Sequence, residues 1–272
     1  MRNQIKFSDY RKVPILIISK TKTEANQKRD KDEDSIITEP LQLNDSTLII
    51  SMLGTYLLSQ ETPKDSLNSI ADLYQTMSYS NLDNNSNVHE IVNKYFLMKG
   101  DQVSDASQKT EVKKLAEERK WREWADTVFV HALSPNIYRT MGEALDSFKN
   151  FSVVGDWESN FPAWQRLVAI YMGAPAMYMI GKRLKKRYML KGDVRESLYD
   201  VCRQWMRAIG KNKQFMGGDK PNLADLAVFG AMSSIEGCAA FSDALENTNI
   251  GPWYHATKQA VASHAGQEDL KL

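Results

Sequence analysis

Cysteine is scarce in this chain: its 272 residues hold only Cys202 and Cys238. The two form no C-x-x-C pair, so they offer neither a redox turn nor a disulfide framework, and they point to a reducing compartment. Neither sign of charge dominates. With 35 Lys and Arg against 34 Asp and Glu, the net charge of +1 gives no reason to invoke nucleic acid or a strongly acidic partner. Long hydrophobic runs are missing too. The longest uncharged apolar run, Leu167 to Ile180, has fourteen residues and is interrupted by Pro175, short of the roughly 20 that span a bilayer. It reads as a buried helix kinked or broken at Pro175. The first residues are polar and basic, with no signal-peptide pattern. His89, His131, His255 and His264 are scattered, without the spacing of an H-E-x-x-H metal site. His131 follows Trp121, Trp124 and Val128 along a helix and reads as a satisfied, partly buried histidine.

What is present fits a globular protein of one large or two modest domains, with 42% apolar and 25% charged residues. Near the start, Val13-Pro14-Ile15-Leu16 reads as a strand entered through a proline, which constrains φ and removes a donor. A charged excursion from Thr21 to Ser35 reads as a solvated loop. A short strand follows, then a helix with Leu48, Ile49, Met52, Leu53 and Tyr56 at helical spacing. Asp45 and Ser46 stand where that helix begins. A helix start gathers free N–H groups and the positive end of the dipole, and so holds carboxylates. Taken alone, the same residues are equally an ordinary N-cap. Residues 65 to 77 read as a short helix using Leu67, Ile70, Ala71 and Tyr74. Asn81 to Asn87 and Gly100 to Gln108 read as loops, and Ile91 to Met98 between them as a docked segment.

Beyond about residue 105 the pattern is helical. Thr110 to Leu133 carries Leu115, Trp121, Trp124, Val128 and Ala132 on one side and is expected to end at Ser134-Pro135. Helices are also expected over 140–151 and 161–190. Asp193 and Glu196 resemble a capping box. After them Val194, Leu198, Val201, Cys202, Trp205 and Ile209 form an apolar stripe closed by Gly210, which makes Cys202 a core thiol. Phe215 to Asp225, ending Pro221-Asn222-Leu223-Ala224-Asp225, leads into a helix with few charges before Glu236. Asn222 and Asp225 read as its capping pair, structural rather than catalytic.

The string Gly217-Gly218-x-x-Pro221-Asn222-Leu223-Ala224-Asp225 resembles the capped central helix of the glutathione-transferase C-terminal domain. Over almost its whole length the chain resembles the prostaglandin E synthase branch of that superfamily. Val13-Pro14-Ile15-Leu16, Asn44-Asp45-Ser46, Lys120-Trp121-Arg122-x-Trp124, Ser134-Pro135-Asn136-x-Tyr138-Arg139 and Tyr171-Met172-Gly173-Ala174 carry the likeness further. The resemblance implies a mostly α fold. An incomplete thioredoxin-like, glutathione-binding domain would occupy residues 1–80 and a docked linker 81–105. An all-α glutathione-transferase-like domain would fill 106–272.

It also implies an isomerase that converts prostaglandin H2 to prostaglandin E2 without net redox change, with glutathione as ligand and haem as a further one. Val13 would pair with glutathione through its backbone; Asp45 and Ser46 would hold its γ-glutamyl end. The family's catalytic C-x-x-C lies on the first βα turn, upstream of this sequence. The chain therefore reads as N-terminally truncated, with no catalytic residue assigned, an uncovered strand edge at Val13–Ile18 and activity in doubt. The alternative is a non-catalytic glutathione-transferase-like binding or scaffold protein. The branch further implies a lipid endoperoxide substrate, a homodimer, and an intracellular place, cytoplasmic or associated with Golgi or mitochondrial membranes. Lys182, Arg183, Lys185, Lys186 and Arg187 form a basic cluster. It reads as a solvated helix end or as an anion, prostaglandin-carboxylate or membrane-surface patch; Tyr138 and Arg139 are candidates to line a cleft.

Overall fold

In the computed structural model, the described residues are 14–18, 41–58, 66–74, 76–81, 86–98 and 106–265. Val13 lies outside them, as do the excursion from Thr21 to Ser35 and most of the stretch from Gly100 to Gln108. The chain forms two compact units, residues 1–104 and 105–272.

In the first unit, β1 (Ile15–Ile18) pairs antiparallel with β2 (Leu41–Asn44), which runs into α1 (Ser46–Leu58). Helical spacing buries Leu48, Ser51, Met52 and Thr55 on one side of α1. Leu53, expected on that side, is exposed together with Ile50 and Leu57. The two buried hydroxyls explain the difference, because they serve residues 94–98. Ser51 Oγ donates to the Lys94 carbonyl, and Thr55 Oγ1 accepts from the Met98 N–H at 3.0 Å. Tyr74 completes this network. It follows α2 (Ser66–Asp72), and its hydroxyl meets Thr55 Oγ1 at 2.9 Å and donates to the Phe96 carbonyl at 2.7 Å. Leu43, Leu48, Met52 and Tyr74 form the small core of this unit.

Of the stretch from Asn81 to Asn87 expected as a loop, residues 82–85 lie outside the described residues, and Asn81, Ser86 and Asn87 belong to a hairpin. Here β3 (Thr76–Asn81) pairs with β4 (Ser86–Ile91) from Thr76↔Ile91 to Asn81↔Ser86. Each sheet among the described residues has two strands.

The second unit is entirely helical among its described residues. It runs α3 (Ala106–Trp124), a π-helical turn (Ala125–Phe129), α4 (Val130–Ile137), α5 (Met141–Val154), α6 (Trp157–Asn160) and α7 (Ala163–Arg187). Then come α8 (Val194–Ile209), α9 (Leu223–Ser233), α10 (Ala239–Asn247) and α11 (Ile250–Ala262). Trp121, Ala125, Phe129, Leu133 and Ile137 recur every four residues and are all buried. In a 3.6-residue helix each such step drifts by about 40°. The wider π turn absorbs part of that drift and keeps the row facing the core.

Pro135 does not end this stretch, contrary to expectation. It sits buried inside α4, which continues to Ile137. The cost is one helical hydrogen bond to the His131 carbonyl.

Trp121, Trp205 and Trp253 meet edge to face at the centre, with ring centroids 5.7 and 5.4 Å apart. Leu198, Cys202 and Ile209 of the α8 stripe pack with them, and Gly210 closes α8 at φ +82°. Asp193 caps α8 by accepting from the Arg195 N–H at 2.9 Å.

Of the expectation of a buried helix kinked or broken at Pro175, the burial and the break are overturned. α7 is continuous through Pro175, and Trp164, Leu167, Val168, Tyr171, Met172 and Met179 on it are exposed. Its inner side is held close to α5, since a Cβ on Gly173 would lie 2.5 Å from Phe148 Cε1. No helix among the described residues is long and apolar enough to cross a membrane.

Candidate functional site

The start of α1 carries two of the three residues singled out for glutathione. Asp45 has left-handed backbone, φ +77°, a conformation that Asp tolerates better than most residues. That turn swings its side chain back over the helix start, where Oδ1 accepts from the Thr47 N–H at 2.9 Å. Its carbonyl accepts from the Ile49 N–H at 3.0 Å. Oδ2 stays on the open side, 3.4 Å from Lys94 Nζ. Ser46 is exposed beside it. A carboxylate, an ammonium group and an exposed serine at a helix start therefore share one small surface. Such a surface can receive a zwitterion, its ammonium group on Asp45 and its carboxylate on Ser46, Lys94 and the helix start.

The remaining candidates fall in the second unit. Tyr138 and Arg139, with Lys182 and Lys185 of the basic cluster, line a common cleft within this unit. His131 is partly buried; its ring stacks on Tyr188 at 4.0 Å and Nδ1 bonds the Thr127 carbonyl at 2.6 Å. The imidazole is therefore engaged on one nitrogen and one face.

Asn222 and Asp225 form the full capping box of α9. Asp225 does more than the sequence revealed. Its carboxylate also accepts from the Met216 and Gly217 N–H groups, at 2.9 and 3.0 Å, and from Trp253 Nε1 at 2.9 Å. The signal that could have disclosed this was the glycine pair at 217–218, which turns the preceding backbone toward the helix start.

No family model matches the chain. The mouse (Mus musculus) protein named prostaglandin E synthase 2 is 44% identical over 261 residues, 96% of this chain. The zebrafish (Danio rerio) protein of that name is 44% identical over 262 residues, again 96% of the chain. This chain is a homologue of prostaglandin E synthase 2. It spans about three-fifths of the length of these relatives, 61% of the mouse protein and 62% of the zebrafish one.

Against that homology, the two cysteines are poor nucleophiles. Both are buried and unpaired. Burial pushes the Cys202 thiol up to about 12, and burial likewise raises Cys238, which Ser147 and Arg195 only partly offset. At neutral pH neither supplies a thiolate. A chromogenic disulfide reagent at pH 7.5 is therefore expected to find no reactive thiol in the folded protein and two after denaturation. Rapid reaction of either in the native state contradicts the burial argument.

Proposed function

We propose that this chain is the glutathione-gripping and helical portion of a prostaglandin E synthase-like isomerase. The observation that carries the reading is 44% identity to prostaglandin E synthase 2 across 96% of the chain. In the reaction, the O–O bond of a lipid endoperoxide opens. One oxygen becomes a carbonyl as its carbon loses a proton, the other takes a proton as a hydroxyl, and no electrons are gained or lost overall.

Glutathione suits the start of α1. Its γ-glutamyl end carries one ammonium and one carboxylate, complementary to Asp45 and to Ser46 with Lys94. Val13 is assigned the backbone pairing with the peptide, as the resemblance implies. The thiol step is assigned to neither Cys202 nor Cys238, both buried with raised pKa values. With no C-x-x-C among its residues, this polypeptide is expected to bind glutathione without turning over the endoperoxide. Haem fits less well. The cleft lining contains no His, Cys or Met as an axial ligand, and the raised pKa of half-buried Tyr138 keeps that phenol neutral.

The test is the intact mass and N-terminal peptide map of the protein from its native cells. A product heavier than 31.0 kDa that includes a C-x-x-C turn supports the isomerase. A native product beginning at Met1 overturns it in favour of a binding protein.

That second reading has an observation of its own in the apolar face of α7. Trp164, Leu167, Val168, Tyr171 and Met172 are each more than half exposed, a larger apolar patch than single scattered side chains. We assign it to a second copy of the chain, paired antiparallel about a two-fold axis. Arg183 and Lys186 of each copy would then approach the exposed Glu158 of the other. Light scattering is expected to give twice 31.0 kDa, and Leu167→Glu should return the single-chain mass. A single-chain mass for the unaltered protein refutes the pairing.

A further inference from the structure

We propose that the cleft between α4, α7 and α8 binds a small amphipathic anion, its carboxylate or phosphate head on Arg139, Lys182 and Lys185. The apolar tail would lie against Pro135, Tyr138 and Val194. The cleft belongs wholly to the second unit and is independent of the glutathione assignment. It holds about 230 Å³ and is open to solvent. At about 30 Å³ per water, that suffices for a head group and a short chain, with a longer tail leaving through the opening.

Its cations are arranged in advance. Arg139 is pinned by Glu143, whose Oε1 accepts from Nε at 2.9 Å and from Nη2 at 2.6 Å. The other oxygen of Glu143 accepts from the buried Arg195 at 2.9 Å, so the carboxylate cannot swing away. Thr140 fixes the same turn by capping α5 through the Glu143 N–H at 3.1 Å. The Arg139 guanidinium is thus held in place while its Nη1 makes no hydrogen bond among the described residues.

Lys182 and Lys185 stand one turn apart on α7. Lys182 lies over the Tyr178 ring at 4.4 Å and has no carboxylate partner among the described residues. Lys185 spans the cleft to donate to the Gly192 carbonyl, which leaves two of its three N–H groups unused.

One carboxylate lines the cleft, that of Asp193, whose Oδ1 caps α8 while its charge remains. With Glu143 and Asp193 both set against Arg139, Lys182 and Lys185, one positive charge is left over, and an anion is the complementary ligand.

The wall opposite comes from close helix packing. A Cβ on Gly181 would sit 3.4 Å from Tyr138 Cβ, so the glycine lets α7 approach the end of α4. That approach brings Lys182 and Lys185 beside Tyr138 and Pro135. A side chain at position 181 would press on this wall.

The probes are octanoate, octyl phosphate and neutral 1-octanol, titrated calorimetrically into the full chain in low salt. One or both anions should bind saturably at one site per chain, the tighter of them naming the preferred head group. 1-Octanol should bind at least tenfold more weakly. Lys182→Glu should weaken the anion at least tenfold, and Arg139→Gln at least fivefold. Lys211→Glu, an exposed charge reversal outside the cleft, should leave binding unchanged and controls for net charge. Because Lys182 is exposed, its variant keeps the fold, which a thermal melt verifies independently of the arginine variant. Absence of saturable binding by both anions, equal binding of 1-octanol, or undiminished binding in Lys182→Glu overturns the proposal.

Discussion

Replacing Asp225 with alanine is expected to cost the second unit about 4 kcal/mol or more. The residue is completely buried, and its carboxylate accepts from four N–H groups, those of Met216, Gly217, Asn222 and the Trp253 indole. Truncation strands the Met216 and Trp253 donors in the interior and unpairs those of Gly217 and Asn222 nearer the surface, and each buried orphaned donor costs about 1–3 kcal/mol before relaxation or water entry. Asp225→Asn should be nearly as damaging. Its amide keeps one accepting oxygen and turns an NH2 group toward donors that already point inward. The effect should reach beyond α9, since the carboxylate ties the 215–218 turn and α11 to the same helix start. Urea unfolding followed by tryptophan fluorescence checks it, because Trp205 and Trp253 share the core with this carboxylate. A midpoint within error of the unaltered protein contradicts the four-donor account.

Arg195→Met is the second large effect, expected to cost about 3 kcal/mol. Arg195 is 2% exposed and joins four helices. It donates to Asp243 at 2.7 Å, to Glu143 at 2.9 Å, and to the carbonyl and side-chain oxygen of Asn136 at 2.9 and 3.1 Å. Asn136, fully buried, passes the linkage on through its amide to the Val194 carbonyl at 2.9 Å. Methionine fills much of the same volume but leaves two carboxylates facing an apolar side chain. Glu143 and Asp243 retain some solvent access, at 16% and 34% side-chain exposure, which places the cost at the lower end of the range for breaking a buried ion pair. Adding Asp243→Asn should recover part of the loss by removing the carboxylate left without its partner, whereas Glu143 keeps Arg139. Failure of this double variant to improve on Arg195→Met would show that packing, not charge, dominates.

Neither of these centres was fully legible in the sequence. The Asn222/Asp225 capping box could be read because its three-residue spacing is local. The Trp253 donor could not, since nothing in the spacing of residues 225 and 253 announces a shared carboxylate, and the Met216 and Gly217 donors were hinted at only by the glycine pair at 217–218. The α8 stripe was legible for the same local reason, being one face of one helix. Arg195 lies inside that helix and looks like an ordinary charged residue until α4, α5 and α10 close over it.

The β3–β4 hairpin was hidden because the brief Met77/Tyr79 alternation of Thr76–Asn81 overlaps the helix expected over 65–77, Ser86–Ile91 has no sustained alternation, and both strands flank asparagines that favour turns. The π turn was hidden as well, because buried residues every four positions fit no regular helix over that length. On α7, apolar composition suggested burial, although composition cannot tell a face turned inward from one left for a partner. At the start of α1 the N-cap was readable, whereas the left-handed backbone that frees one Asp45 oxygen was not.

Glutathione binding measured by isothermal titration calorimetry tests the central claim most directly. The account expects one saturable site per chain. Asp45→Ala should weaken binding at least tenfold by removing the partner of the γ-glutamyl ammonium, and Ser46→Ala should weaken it less. A γ-glutamyl analogue lacking that ammonium should lose its dependence on Asp45. If the unaltered chain shows no saturable glutathione binding, or if Asp45→Ala binds as tightly, the glutathione assignment is wrong.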